Sequence, residues 1–325
     1  MTSYSESQDS SQAAKEVDLN VFDTTGYLLE NGFNIVVKIL GFSTVAMLAV
    51  MTAVIVVRAE PAISLFGLDF LFRDEWIVDA DEFGAAPYIY GTLVTAAIAI
   101  ILASPIGIAI AIVTSENFIP KNIRMPIAYT IELIAAIPSV IIGLWGIFTF
   151  IPAIMPFQGF LFDNLGWIPL FSTESSGYNV LTAGMLLAIM IVPTVASISR
   201  DVLIAVPVDF RTASMGLGAT RWETIIRVLL PAAAPGILGA VLLALGRALG
   251  ETMAVTMVIG NTARISASLL DAGYSIPAVM ANEFAEAAGD LHPGALLYLA
   301  LILFALTLIV NVGAVFLVQL FSTDK

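Results

Sequence analysis

Residues Ala295–Leu320 read ALLYLALILFALTLIVNVGAVFLVQL, an apolar run without a single charged side chain. A hydrocarbon core about 30 Å thick takes about 20 such residues, at ~1.5 Å rise each in a helix. Helix is the form such a run adopts in lipid, where no water satisfies its backbone N–H and C=O groups. Five similar stretches lie upstream, at Phe33–Val57, Tyr90–Val113, Ile127–Ile154, Val180–Ile198 and Gly236–Gly260. The sequence thus predicts an all-α integral membrane protein with six transmembrane helices. Composition agrees: 59% of the 325 residues are hydrophobic and only 12% charged, against about 25% charged in soluble domains. The mean hydropathy is +0.95.

The same composition excludes several classes of function. With no cysteine there is neither a disulfide nor a thiolate metal site. The one histidine, His292, stands beside Pro293 in an expected loop, and a single His makes no His-cluster metal site. A net charge of −13 is hostile to nucleic acid. Residues 1–32 are polar and acidic and lack the basic start and short apolar stretch of a secretory signal, so they read as a retained tail, partly disordered. Residues 33–320 form the transmembrane domain, and 321–325 a short C-terminal end. After the long third span, FQGFLFDNLGWIPLF (Phe157–Phe171) is aromatic enough to lie in the membrane interface.

Basic residues set the orientation. One alternating set of segments holds Lys15, Lys38, Lys121, Arg124, Arg200, Arg211, Arg221, Arg227 and Lys325, and the other only Arg58, Arg73 and Arg264. Nine bases against three put both termini in the cytoplasm. The outer segments also carry thirteen acids, among them Asp69, Asp79, Glu82 and Glu283. A free anion would be repelled from that face over about 8 Å in physiological salt. Two accounts of the surplus stand side by side. A carrier protein delivers an anionic cargo there, or the bias against outer Lys and Arg merely leaves acids behind.

Three ionisable residues fall inside apolar spans: Glu132 in the third, Arg247 and Glu251 in the fifth. A charge at mid-bilayer costs roughly 2.5–3.5 kcal/mol even on the lenient insertion scale. Arg247 and Glu251 are one helical turn apart, in the weaker Arg-then-Glu order, so local helix support is a poor reason for them. Either they form a buried ion-pair set with Glu132, or Arg247 lies on a permeation path with its guanidinium fork matched to an oxyanion. Gly246 and Gly250 favour the second reading by thinning the helix for the approach of a helix or a ligand. Prolines in the spans, Pro105, Pro138 and Pro193, free backbone carbonyls. Ser139 and Thr194 sit beside two of them as polar linings of a path.

The longest segment on the basic side, 199–235, contains SRDVLIAVPVDFRTASMGLGATRWETIIRVLLP. Trp222, Ile225, Ile226 and Leu229 recur at amphipathic helical spacing. A helix–Gly–helix element bounded by prolines suits docking to a soluble partner. The alternative is a helix lying on the bilayer surface.

That segment resembles the coupling motif of ABC importer permeases: Glu-Ala-Ala, three residues, Gly, nine residues, Ile-x-Leu-Pro. Gly218, Leu230 and Pro231 match in register, and Val228 stands for Ile. The opening triplet is Thr212-Ala213-Ser214, so the leading Glu is missing. IELIAAIPSVIIGLWGIF (Ile131–Phe148), GRALGETMAVTMVIGN (Gly246–Asn261) and ANEFAEA (Ala281–Ala287) are similar to the phosphate-specific permeases of the Pst system. The GETMAV form is that of the PstC-type subunit rather than its PstA-type partner. The resemblance implies a type I ABC importer permease-like fold in a bacterial or archaeal cytoplasmic membrane, with a coupling helix between spans 4 and 5. Thr212, Ala213, Ser214, Gly218, Arg221, Trp222, Leu230 and Pro231 would then face the ATPase, and Arg247, Glu251, Glu132, Ser139 and Thr194 the substrate path. It further implies a PstA-like second permease subunit, two copies of an ATPase using ATP with Mg, and an extracytoplasmic phosphate-binding protein. No cofactor is expected on this chain, which lacks a GxxxxGK[ST] loop and so does not hydrolyse ATP itself.

The rivals are an ABC permease for another oxyanion, sulfate or molybdate, and a proton-coupled secondary transporter. The latter would show internal repeats, of which the sequence has none, and would not need the 199–235 segment. A membrane enzyme would need a nucleophile–base set or metal cluster in the spans, and a scaffold leaves the mid-span charges unexplained.

Overall fold

A computed structural model describes residues 19–322, residue 117 excepted. The expected disordered start of the tail, 1–18, lies outside the described residues, as do 323–325. The described chain winds into α1 (Leu19–Phe66), α2 (Ala86–Ser115), α3 (Lys121–Ala135), α4 (Ser139–Leu165) and α5 (Val180–Ala205). These are followed by α6 (Val208–Gly216), α7 (Arg221–Leu249), α8 (Met253–Val258), α9 (Ile276–Glu283) and α10 (Leu291–Ser322). Six of them, α1, α2, α4, α5, α7 and α10, are long and apolar enough to cross a membrane. Met1–Val54 and Ile55–Lys325 are two units. The first, as far as it is described, is the leading part of α1. The second holds the end of α1 and every helix from α2 to α10.

Prolines decide where the spans differ from the sequence reading. The expected third span, Ile127–Ile154, is broken at Pro138, whose backbone is extended at φ −58°, ψ 138°. A proline disfavours helix at the residue before it, so α3 ends at Ala135 and the membrane helix restarts at Ser139. That helix runs on to Leu165 and takes in the first part of the aromatic stretch assigned to the interface. Glu132 consequently sits on α3, outside the six span-length helices. The fifth span also shifts, to Arg221–Leu249. Both α4 and α7 contain a π-turn, Gly146–Phe150 and Ile225–Leu229, ending two residues before Pro152 and Pro231. Widening the turn there relieves the clash between a proline ring and the preceding carbonyls.

α2 and α5 form the central pair. Ala96, Ala99, Ala103, Gly107 and Ala111 recur at helical spacing along α2 and are buried. A Cβ on Gly107 would lie 2.7 Å from Val195 Cβ, and one on Gly184 2.7 Å from Ile98 Cβ. The two matches advance together along both helices, so the pair is parallel. Small residues let the backbones close in, and dispersion between the packed surfaces holds them. Leu186, Leu187, Met190 and Ile191 of α5 fill the core around this contact.

A second cluster gathers around Phe66, Phe70, Phe83, Tyr88 and Tyr274. Here the expected loop around His292 is instead the first turn of α10, where Pro293 is tolerated because early helical N–H groups need no partner. His292 is buried, stacks on Phe83 and has Nε2 3.2 Å from Glu283 Oε2. Trp76 Nε1 donates to the same carboxylate oxygen at 2.9 Å. Burial pushes the Tyr274 phenol above its usual range.

Candidate permeation cavity and coupling element

Gly239, Leu242, Leu243, Gly246 and Arg247 recur at helical spacing on one face of α7 and line an open cavity of about 780 Å³. Thr194 of α5 and Asn311 and Val315 of α10 complete the lining. The glycines make room for it: a Cβ on Gly239 would meet nothing within 4 Å, and one on Gly246 only Asn311 Nδ2 at 4.0 Å. Arg247 Nη1 donates to Thr194 Oγ1 at 3.3 Å. Among the described residues no carboxylate lies within 4.0 Å of the Arg247 guanidinium. A cation with one neutral partner in a largely apolar recess can take up an oxyanion without first breaking an ion pair.

The other candidate path residues do not join this lining. The sequence reading placed Glu251 one helical turn above Arg247, but α7 ends at Leu249 and Gly250 caps it. Gly is a poorer helix former than Ala by about 1 kcal/mol. Glu251 Oε1 instead accepts from Ala254 N–H at 3.3 Å, at the start of α8. Glu132 is exposed on α3, with Oε1 4.0 Å from Arg200 Nη1. The postulated ion-pair set of Arg247, Glu251 and Glu132 is therefore absent among the described residues. Ser139 is the first residue of α4, half-buried. Asn311 was missed, and its signal was legible: it is the lone amide of the stretch Ala295–Val318, whose other polar groups are the hydroxyls of Tyr298 and Thr307. Polar side chains within spans carry a cost that function commonly explains.

The 199–235 segment comprises the last turns of α5 and a hairpin of α6 and the start of α7. Pro207, extended at φ −52°, ψ 140°, starts α6. Gly218 turns the chain at φ +90°, a region an L side chain rarely enters. Thr220 then caps α7 reciprocally: its hydroxyl accepts from Glu223 N–H, and the Glu223 carboxylate accepts from Thr220 N–H at 2.9 Å. Ser214 Oγ lies 3.0 Å from Thr224 Oγ1, tying the two helices together. Trp222 meets Phe118 edge-on, with ring centroids 5.6 Å apart. Leu229 is buried, with Leu230 packed against its cluster, whereas Thr212, Ala213 and Arg221 are exposed. Leu217 is 91% exposed at the tip of the turn, and Val208 and Phe210 are exposed nearby.

Sequence reasoning also passed over Arg211, counting it only as one more base. Arg211 Nη2 lies 2.8 Å from Glu116 Oε1, and neither side chain is more than 17% exposed.

The profile of the family described as "binding-protein-dependent transport system inner membrane component" matches residues 103–323. A phosphate transport system permease protein PstC from Mesorhizobium japonicum is 46% identical over 254 residues, 77% of each chain. The PstC of Haemophilus influenzae is 43% identical over 269 residues, covering 81% of this chain and 85% of its own. The chain belongs to the PstC permease family. A probable PstC of Methanocaldococcus jannaschii is 36% identical over 266 residues, 80% of this chain and 84% of its own. Among solved structures, the MetNI methionine ABC transporter in an inward-facing conformation matches with a TM-score of 0.51. That match has 17% identity and covers 72% of this chain and 96% of that one. It shows a common fold, the type I ABC importer permease fold expected from the coupling motif. A PstC-family permease is a multi-pass inner-membrane protein, and the secondary-transporter reading finds no support.

Proposed function

We propose that this chain is the PstC-type translocation subunit of an ATP-driven phosphate importer. It pairs with a PstA-like permease, and the two are driven by two copies of an ATPase that uses ATP with Mg. An extracytoplasmic phosphate-binding protein supplies the cargo to the acidic face, where free phosphate would be repelled. Both termini lie in the cytoplasm, which puts α6 and the Gly218 turn on the ATPase side. The observation that carries the reading is Arg247: a guanidinium on a cavity wall, bonded to Thr194 and free of any carboxylate among the described residues. Its planar fork suits phosphate oxygens, and Thr194 and Asn311 add neutral groups that can meet a protonated or an ionised oxygen. Glu251 at the start of α8, Glu132 beside Arg200 and Ser139 at the start of α4 lie outside this lining.

The test is uptake of labelled phosphate by proteoliposomes holding the two permeases and two ATPase copies, with the phosphate-binding protein outside and with and without ATP inside. Uptake that needs ATP and is not competed by sulfate or molybdate is the expected result. Competition by either would move the cargo to another oxyanion, and uptake without ATP would remove the ATPase from the reading.

A further inference from the structure

Glu116 follows the last residue of α2, and Arg211 lies in the middle of α6. The guanidinium donates from Nε at 3.1 Å and from Nη2 at 2.8 Å to one oxygen, Glu116 Oε1. Nη1 donates to the Val206 carbonyl and Nη2 to the Leu203 carbonyl, both at 2.8 Å. Those two carbonyls end α5, where intrahelical donors have run out and the helix dipole is negative. One side chain of α6 thus grips the ends of both α2 and α5. Arg124, near the start of α3, adds a bond from Nη1 to the Glu116 carbonyl at 3.4 Å. Side-chain exposures of 17% for Arg211 and 16% for Glu116 leave little solvent to screen the pair.

Among the described helices α2 and α5 share the most extensive packing, and α5 carries Thr194, the partner of Arg247. Leu203 is nine residues from Thr194, ~14 Å along the helix. A displacement of α6 is therefore passed to α2 through one guanidinium, and to α5 through that guanidinium together with the two-residue link Val206–Pro207, so it reaches the helix pair that extends to the cavity wall. The remaining ties of α6 are softer: Ser214 bonds a neutral hydroxyl, and its outer face is bare.

We propose that Arg211 and Glu116 are positioning residues that form the joint of this transporter, so that α2, α5 and the coupling helix move as one body. The inference rests on the functional reading above. It predicts that breaking the joint leaves the ATPase bound but lets it turn over without moving phosphate.

The experiment measures ATP hydrolysed per phosphate transported by the complete complex in proteoliposomes, with copurification of the ATPase as the control for assembly. Glu116→Gln and Arg211→Lys keep size and much of the hydrogen bonding. Both should copurify the ATPase in wild-type amounts while ATP used per phosphate rises about tenfold, the scale of losing one charge-assisted hydrogen bond. The exchanged pair, Glu116→Arg with Arg211→Glu, should not recover coupling, because Arg211→Glu sets a carboxylate against the Leu203 and Val206 carbonyls. An unchanged ratio in both single variants would overturn the joint. Loss of the ATPase from both would make the pair a mere fold contact, which also overturns it. Recovery by the exchanged pair would reject the part played by the end of α5. If the wild-type complex itself shows no phosphate-driven hydrolysis, the functional reading fails first and the joint falls with it.

Discussion

Arg247 was legible from the sequence because a charge inside an apolar run is costly enough to demand a reason. Its partner was not. Four-residue spacing pairs side chains only while the helix continues, and Gly250 ends α7 before Glu251 can stack on it. Glu132 was misplaced for the same kind of reason, since Pro138 moved the span away from it. These placements separate the roles by mutation. Arg247→Gln should lower phosphate uptake about 10- to 100-fold with assembly intact, as expected for removing a charged hydrogen-bond donor. Arg247→Lys should restore part of it, because an ammonium lacks the planar fork. Glu251→Gln should keep most of the uptake, since an amide oxygen still accepts from Ala254 N–H. If Arg247→Gln transports like wild type, Arg247 is structural. If Glu251→Gln is as inactive as Arg247→Gln, the carboxylate takes part in gating.

At the scale of elements, the α6–α7 hairpin was readable from local causes, Pro207 to start α6 and Gly218 to turn, whereas the equally local cap of Thr220 and Glu223 was passed over. The hairpin's register on the spans was not readable, since the Arg211–Glu116 pair joins residues 95 apart in sequence and no local pattern encodes it. Gly218 is at φ +90° with open space where a Cβ would stand. Substitution there therefore meets backbone strain and not a clash. Gly218→Val should cost the hairpin about 1–3 kcal/mol, and thus weaken ATPase copurification while the protein still reaches the membrane. Thr220→Ala, which removes one half of the reciprocal cap, should cost about 1 kcal/mol and leave the turn itself intact. Equal ATPase retention by Gly218→Val and wild type would show that the turn geometry is not what the ATPase reads.

For the whole molecule, the alternation of basic and acidic segments gave an orientation, and the packing supplies an independent constraint. Parallel pairing of α2 with α5 requires an odd number of crossings between them, and α4 is the one span-length helix there. The residues before and after α5 must then face opposite sides of the membrane. Ser176, just before it, and Leu217, beyond it, are both exposed, and the chain is naturally free of cysteine. Single cysteines at Ser176→Cys and Leu217→Cys can therefore be labelled with a membrane-impermeant maleimide in intact cells. Nine bases against three predict a cytoplasmic position for the Leu217 side. Ser176→Cys should react in intact cells and Leu217→Cys only after the membrane is opened. The opposite pattern would invert the orientation and put the coupling hairpin beyond the reach of any cytoplasmic ATPase. Labelling of both from one side would mean that α5 does not cross, and the six-span arrangement would fail with it.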